Sequence, residues 1–448
     1  MLIHPIDFRY GTPEMKTVWS EENRFRCVVS AETALVSALA SCGIIPEADA
    51  KSVSLNAQKA SLERAKEIEA EIGHDLMGMV KAISEVCGEA GRYIHFGATS
   101  SDILDTATGL QIKQALEILD EKLEGFLAVL LRRAEETKHL VCIARTHGQH
   151  ALPMTYGLRF AVWAEEIARH RIRLAEIRPR TAVGKLTGAV GTLAAFGKNG
   201  LHVQAEMMHS LGLSDAGLTT QVISRDRYAE YIFLLANIAS TLEKIAVSVR
   251  SLQRTEIAEV FEPFGKNQVG SSTMPHKRNP VKCEQVCGLS RIIRSMVEPA
   301  LLNNTLWDER DLTNSASERI TFPEASVLTD HCLKVMTTVI AGLEIDEEAI
   351  RSNLNYLQGV NLAESVMLEL ARKGIPRQDA HEIIRKASMQ ALAEKRPLSA
   401  VLADIPEISA ILSKDEAEAL LRAESYLGLA VEQTEAVIQR LSETLKTA

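Results

Sequence analysis

The chain is 448 residues long, beyond the roughly 250 to 300 at which one hydrophobic core stops growing, so two or three structural units are expected. Its 46% hydrophobic and 24% charged residues argue against disorder, and the 4% aromatic share favours aliphatic helix packing over a β-sandwich. Fifty basic against fifty-nine acidic side chains, a net charge of −9, argue against a general nucleic-acid or anionic-membrane binder.

The opening residues, Met1 to Asp7, have neither a basic n-region nor an apolar h-region, so no signal peptide is expected. The seven cysteines are scattered without a CxxC pair, which fits a reducing cytoplasm. Gly73-His74-Asp75 joins two helical stretches, with glycine suited to a C-cap and aspartate to an N-cap. A first unit of short helices, residues 1–105, runs to Gly97-Ala98-Thr99-Ser100-Ser101-Asp102, whose Ser and Asp residues can cap a long helix. From Ile112, the residues Leu116, Leu119, Leu123, Phe126, Leu130 and Ala134 recur in steps of three and four.

Arg145-Thr146-His147-Gly148-Gln149-His150 follows as a polar loop. An imidazole there can protonate a departing nitrogen, although loop histidines are more often simply hydrogen-bonded. Pro153 stands where another helix could start. The Gly/Ala-rich stretch between Lys185 and Lys198 is the most apolar, yet far short of the roughly 20 residues of a membrane span. A second long stripe runs through Tyr228, Tyr231, Leu235, Ile238, Leu242, Ile245, Val249 and Leu252. Stripes this long need partner helices, which makes the chain all-α with a central bundle of long helices over residues 106–350.

In Gly270-Ser271-Ser272-Thr273-Met274-Pro275-His276-Lys277-Arg278-Asn279-Pro280, glycine frees the approach and Pro280 opens a helix. Loop amides and the helix N-terminus would there favour negative charge, and Lys277 adds a cation. Ordinary capped-turn chemistry is the competing reading. Cys283 and Cys287 lack a His pair to complete a metal site and read as packing residues. Glu284 alone is a first-turn glutamate favoured by the helix dipole. Arg310 and Arg319, with His276-Lys277-Arg278, can supply a cation cluster for an anionic small substrate. After a break near Asp346 to Asn355, shorter patterns separated by Gly374, Pro376, Pro397 and Pro406 give a C-terminal helical domain, 351–448.

The 270–280 segment resembles the signature of the fumarase/aspartase superfamily at every fixed position, Gly-Ser-Ser-x-Met-Pro-x-Lys-x-Asn-Pro. Its His-Lys-Arg version is similar to that of the adenylosuccinate lyases, as are Ile6 to Gly11, His95 to Asp102 and Glu309 to Ser315. The resemblance covers nearly the whole chain and implies a three-domain fold that eliminates fumarate from adenylosuccinate and from its aminoimidazole carboxamide analogue. It implies Ser271 as general base, His147 as general acid paired with Glu284, and Lys277 and Asn279 as holders of the carbanion. His74 becomes an active-site histidine. Arg9, Tyr10, His95, Thr99, Ser100, Thr146, Gln221, Arg310, Ser315 and Arg319 become substrate contacts. A homotetramer whose active sites draw on three chains is also implied, with no metal and no organic cofactor. Relatives often carry a second serine where this chain has Ala316, so a phosphate hydrogen bond is missing or supplied by Ser317. Argininosuccinate lyase, aspartase, carboxymuconate cycloisomerase and a non-catalytic crystallin-like protein are the competing readings; Arg9-Tyr10 with Arg310 to Arg319 speaks against amino-acid substrates.

Overall fold

In a computed structural model, which describes residues 4–265, 273, 274 and 276–447, 71% of the chain is helical. The elements that position functional side chains are α1 (Glu21–Ser41), α2 (Leu62–Ile72), α3 (Asp75–Cys87), α4 (Ser100–Thr137), the strands β1 (Val141–Thr146) and β2 (Gln149–Thr155), α5 (Tyr156–Thr181), α6 (Gly200–Leu211), α7 (Asp226–Leu252), α8 (Val281–Ser295), α9 (Thr313–Ala341), α10 (Arg377–Glu394) and α11 (Ala430–Thr447). Both expected stripes are buried: Leu116 to Ala134 along α4, and Tyr228 to Leu252 along α7. Each large side chain on them contributes about 1.5–3 kcal/mol by leaving water. Among the described residues α7, rather than the Gly/Ala-rich stretch, is the helix long and apolar enough by composition to cross a membrane, but its buried stripe is that of a core helix.

The chain divides into two compact units, and the boundaries fall within α4, α5, α7, α8 and α9. The first unit holds residues 1–124, 169–243 and 286–335. Its core joins α1, through Phe25, Val28, Val29, Leu35 and Leu39, to α6, through Val203 and Met207. α2 starts on Ser61, whose hydroxyl accepts from the Arg64 amide at 3.2 Å, and stops at Gly73, whose φ of 69° suits the residue lacking a Cβ. The cap of α3 differs from the expected aspartate: His74 fills it, Nδ1 accepting from the Met77 amide at 3.3 Å.

The second unit holds residues 125–168, 244–285 and 336–448. β1 and β2 form an antiparallel hairpin closed by His147 and Gly148, with Thr146 opposite Gln149. Both turn residues have positive φ, 52° and 76°, matching the turn that follows the right-handed twist of the strands. Pro153 therefore does not start a helix. It sits in β2 opposite Ile143, beside an irregularity in the ladder, where a missing N–H is tolerated. Further along, α10 packs on Ala363–Arg372 and Leu398–Ala403 around Leu370, Ile384 and Val401.

Candidate active site

The first unit carries a cavity of about 310 Å³, with Arg24, Arg225, Arg310, Ser315 and Arg319 in its lining. Three of these were expected substrate contacts, and α9 explains two: Ser315 lies in its first turn and Arg319 one turn further on. Arg310 donates to Gln221 Oε1 at 2.7 Å, while Gln221 donates to the Ala189 carbonyl at 2.8 Å. Arg319 donates to Asp75 Oδ2 at 2.7 Å, and Arg24 reaches the same oxygen at 3.4 Å. Burial opposes ionisation of Asp75, but the Leu76 amide and the two guanidinium groups outweigh it and hold the carboxyl below its usual range. His74 stands next to it, half-exposed. At the N-terminus, Arg9 lies 6.0 Å from the Tyr10 ring centroid, and that ring packs against His331 at 5.3 Å. Ser317 accepts from Asn303 at 3.1 Å, so its hydroxyl is partly committed.

Buried carboxylates, which sequence reasoning missed, hold the remaining contacts of this unit. Asp102 accepts from the Thr99 amide at 2.9 Å, the Thr187 amide at 2.9 Å and the Gly188 amide at 3.1 Å. It also pairs with Lys185, and both side chains are wholly buried. One carboxylate thus ties the Thr99-Ser100 start of α4 to the loop after Lys185. Asp105 binds Arg225 through both oxygens at 2.9 Å, and Arg225 donates to Glu318 at 3.0 Å, one residue before Arg319. Burial pushes the Glu318 carboxyl up, against the pull of Arg225. His95 is held by Glu32. The available signal was a full charge inside otherwise apolar helical pattern.

In the second unit, the hairpin presents Thr146 and His147 at its exposed tip. Its base is fixed by Glu259, a fully buried carboxylate that accepts from Arg145 at 2.6 Å, Tyr156 at 2.6 Å and Asn353 at 2.9 Å. Of the signature segment, Gly270, Ser271, Ser272 and Pro275 lie outside the described residues. Lys277 is exposed, with its amide donating to the Met274 carbonyl at 3.1 Å. Asn279 is half-buried just before α8. Arg278 leaves the expected cation cluster: it stacks 5.2 Å from both Phe261 and Phe264 and donates to Glu344 at 2.8 Å. The helix N-terminus also differs from expectation. Glu262 already takes the Lys282 and Cys283 amides, at 3.0 and 2.6 Å, so these donors do not face a ligand. Cys283 and Cys287 are buried, as packing residues should be. Glu284 is exposed, and among the described residues it makes no hydrogen bond or ion pair with His147 within the chain.

Residues 7–294 match a family model described as Lyase, and residues 359–437 one described as Adenylosuccinate lyase C-terminus. The chain is 50% identical over 446 residues to an adenylosuccinate lyase of Archaeoglobus fulgidus, covering 100% of each. Among solved structures it is similar to a fumarate lyase from Mesorhizobium sp. BNC1, with a TM-score of 0.88 and 32% identity over 96% of this chain and 98% of that one. It is also similar to a 3-carboxy-cis,cis-muconate lactonizing enzyme from Pseudomonas putida, with a TM-score of 0.87 and 32% identity over 98% and 99%.

Proposed function

The chain belongs to the adenylosuccinate lyases, carbon–nitrogen lyases of the fumarase/aspartase superfamily, and from that membership we propose how its residues divide the work. It eliminates fumarate from adenylosuccinate, giving AMP, and from SAICAR, giving AICAR. Ser271 takes the proton beside the substrate carboxylate, and the carbanion is held as an aci-carboxylate by Lys277 and Asn279. His147, oriented by Glu284, protonates the leaving nitrogen. Thr99, Ser100 and Thr146 bind the succinyl end. Arg9, Tyr10, Gln221, Arg310, Ser315 and Arg319 bind the nucleotide, with His74 and His95 beside it.

The observation that carries this reading is the cavity of the first unit, where four arginines gather with Ser315 on one small pocket. Guanidinium groups bind phosphate through paired donors, which suits a nucleotide better than an amino acid. The active unit is a homotetramer with shared sites, working in the cytoplasm without nucleic acid or membrane. Support comes from Ile172 and Phe233, exposed on α5 and α7 in the single chain, and from seven free thiols. The three-domain division at 105 and 350 belongs to the same proposal.

Ser271→Ala and His147→Ala should each lower turnover of adenylosuccinate at least ~100-fold, followed by absorbance. Near-normal turnover in either folded variant rejects that residue's role. A monomer in analytical ultracentrifugation rejects the shared site. Conversion of 3-carboxy-cis,cis-muconate but not of adenylosuccinate would favour the cycloisomerase reading that the Pseudomonas likeness offers.

A further inference from the structure

Glu32 is a carboxylate in the wrong place for a solvated one. It lies mid-way along α1, wholly buried, on a helix whose neighbouring positions Val28, Val29, Leu35 and Val36 are core. A charge there persists only with strong partners, because an unpaired buried ion costs several kcal/mol. Both partners come from one residue. Glu32 Oε2 accepts from the backbone N–H of His95 at 2.8 Å, and Oε1 meets His95 Nδ1 at 2.7 Å. His95 has a φ of 62°, a left-handed conformation that a non-glycine residue holds only when its surroundings fix it. The two-point grip does so. With Nδ1 committed, Nε2 is the ring's remaining polar atom, on a side chain 15% exposed.

We propose that Glu32 is a positioning residue of the reaction: its carboxylate accepts from His95 Nδ1–H, fixing the ring's orientation and pairing with the imidazolium form, whose Nε2–H donates to an oxygen of the bound substrate. The inference rests on the reading of His95 as a substrate contact. Electrostatics agree. Burial disfavours the charged ring, but the hydrogen bond and charge of Glu32, with Asp102 adding to them, raise its pKa above the ordinary imidazole value. The charged groups acting on the ring are thus Glu32 on α1 and Asp102 on α4, the latter already paired with Lys185.

The test is a double-mutant cycle with Glu32→Gln and His95→Asn, the asparagine keeping a donor near Nδ1 while removing Nε2. In the wild-type background Glu32→Gln should lower kcat/KM about 10–100-fold, the size typical when a group that orients a functional imidazole is lost. It should also move the basic limb of the kcat/KM pH profile down by about one unit or more, because the charged donor is then lost at lower pH. In the His95→Asn background it should change neither. Equal losses in both backgrounds, or an unmoved pH limb, overturn the proposal in favour of a purely structural glutamate. His95→Asn at the wild-type rate instead removes the reading of His95 itself. If Glu32→Gln does not fold, Glu32→Asp, which keeps the charge but withdraws it by one methylene, is read by the same comparison of backgrounds.

Discussion

The two units treat their polar residues differently. In the first, four of the groups proposed to face substrate are already gripped from behind: Arg310 by Gln221, Arg319 by Asp75, the Thr99 turn by Asp102, His95 by Glu32. In the second, His147, Lys277 and Glu284 stand exposed, and order comes from the backbone, through a hairpin anchored at its base by Glu259 and a helix start capped by Glu262. Binding groups must hold one geometry before substrate arrives. Proton-transferring groups proposed to meet across subunits need only a rigid stem, since in that assembly the rest of their surroundings would come from another chain.

This contrast can be broken by substitutions that leave the proposed chemical groups alone. The largest effect is expected for Asp102→Asn. Lys185, wholly buried, then loses its counter-charge, and the loss should be about 3–5 kcal/mol in chemical denaturation; a loss below 1 kcal/mol would mean that the pair is not what orders the first unit. Next comes Glu259→Gln, which weakens three charge-assisted bonds at the hairpin base. We expect about 2–3 kcal/mol, with turnover falling in step as His147 loses its mount, and unchanged turnover at lowered stability would separate the hairpin from the chemistry. The smallest effect is Gly148→Ala. A Cβ there meets nothing within 4 Å, so only the positive φ resists it, at about 1–2 kcal/mol. Gly148→Asn should recover part of that in chemical denaturation, because asparagine tolerates the left-handed region.

The long helices were legible because their signal is local: a stripe from Ile112 to Ala134, or from Tyr228 to Leu252, is written in adjacent turns of one segment. The hairpin was not, because its turn needs a non-glycine residue, His147, at positive φ, and Pro153 looks more like a helix opener than a strand residue. The residues that line the cavity were legible where a side chain sits in a family motif, as with Arg310, Ser315 and Arg319. Its supports were hidden for a different reason. Glu32 and His95 are 63 positions apart, Asp102 and Lys185 are 83 apart, and each looks like a routine helical charge until the fold brings its partner. Arg278 shows the converse: a cation inside the signature that serves Glu344 and two phenylalanines.

The shared grip of Arg319 and Arg24 on Asp75 bears on which solutes can occupy the pocket. An incoming anion competes with a carboxylate that is already seated and cannot diffuse away. Chloride or a monoanionic metabolite gains little from that exchange, whereas a dianionic phosphate brings twice the charge and several acceptor oxygens. The pocket's arginines therefore come with their own counterion, and cellular anions of low charge should be poor inhibitors.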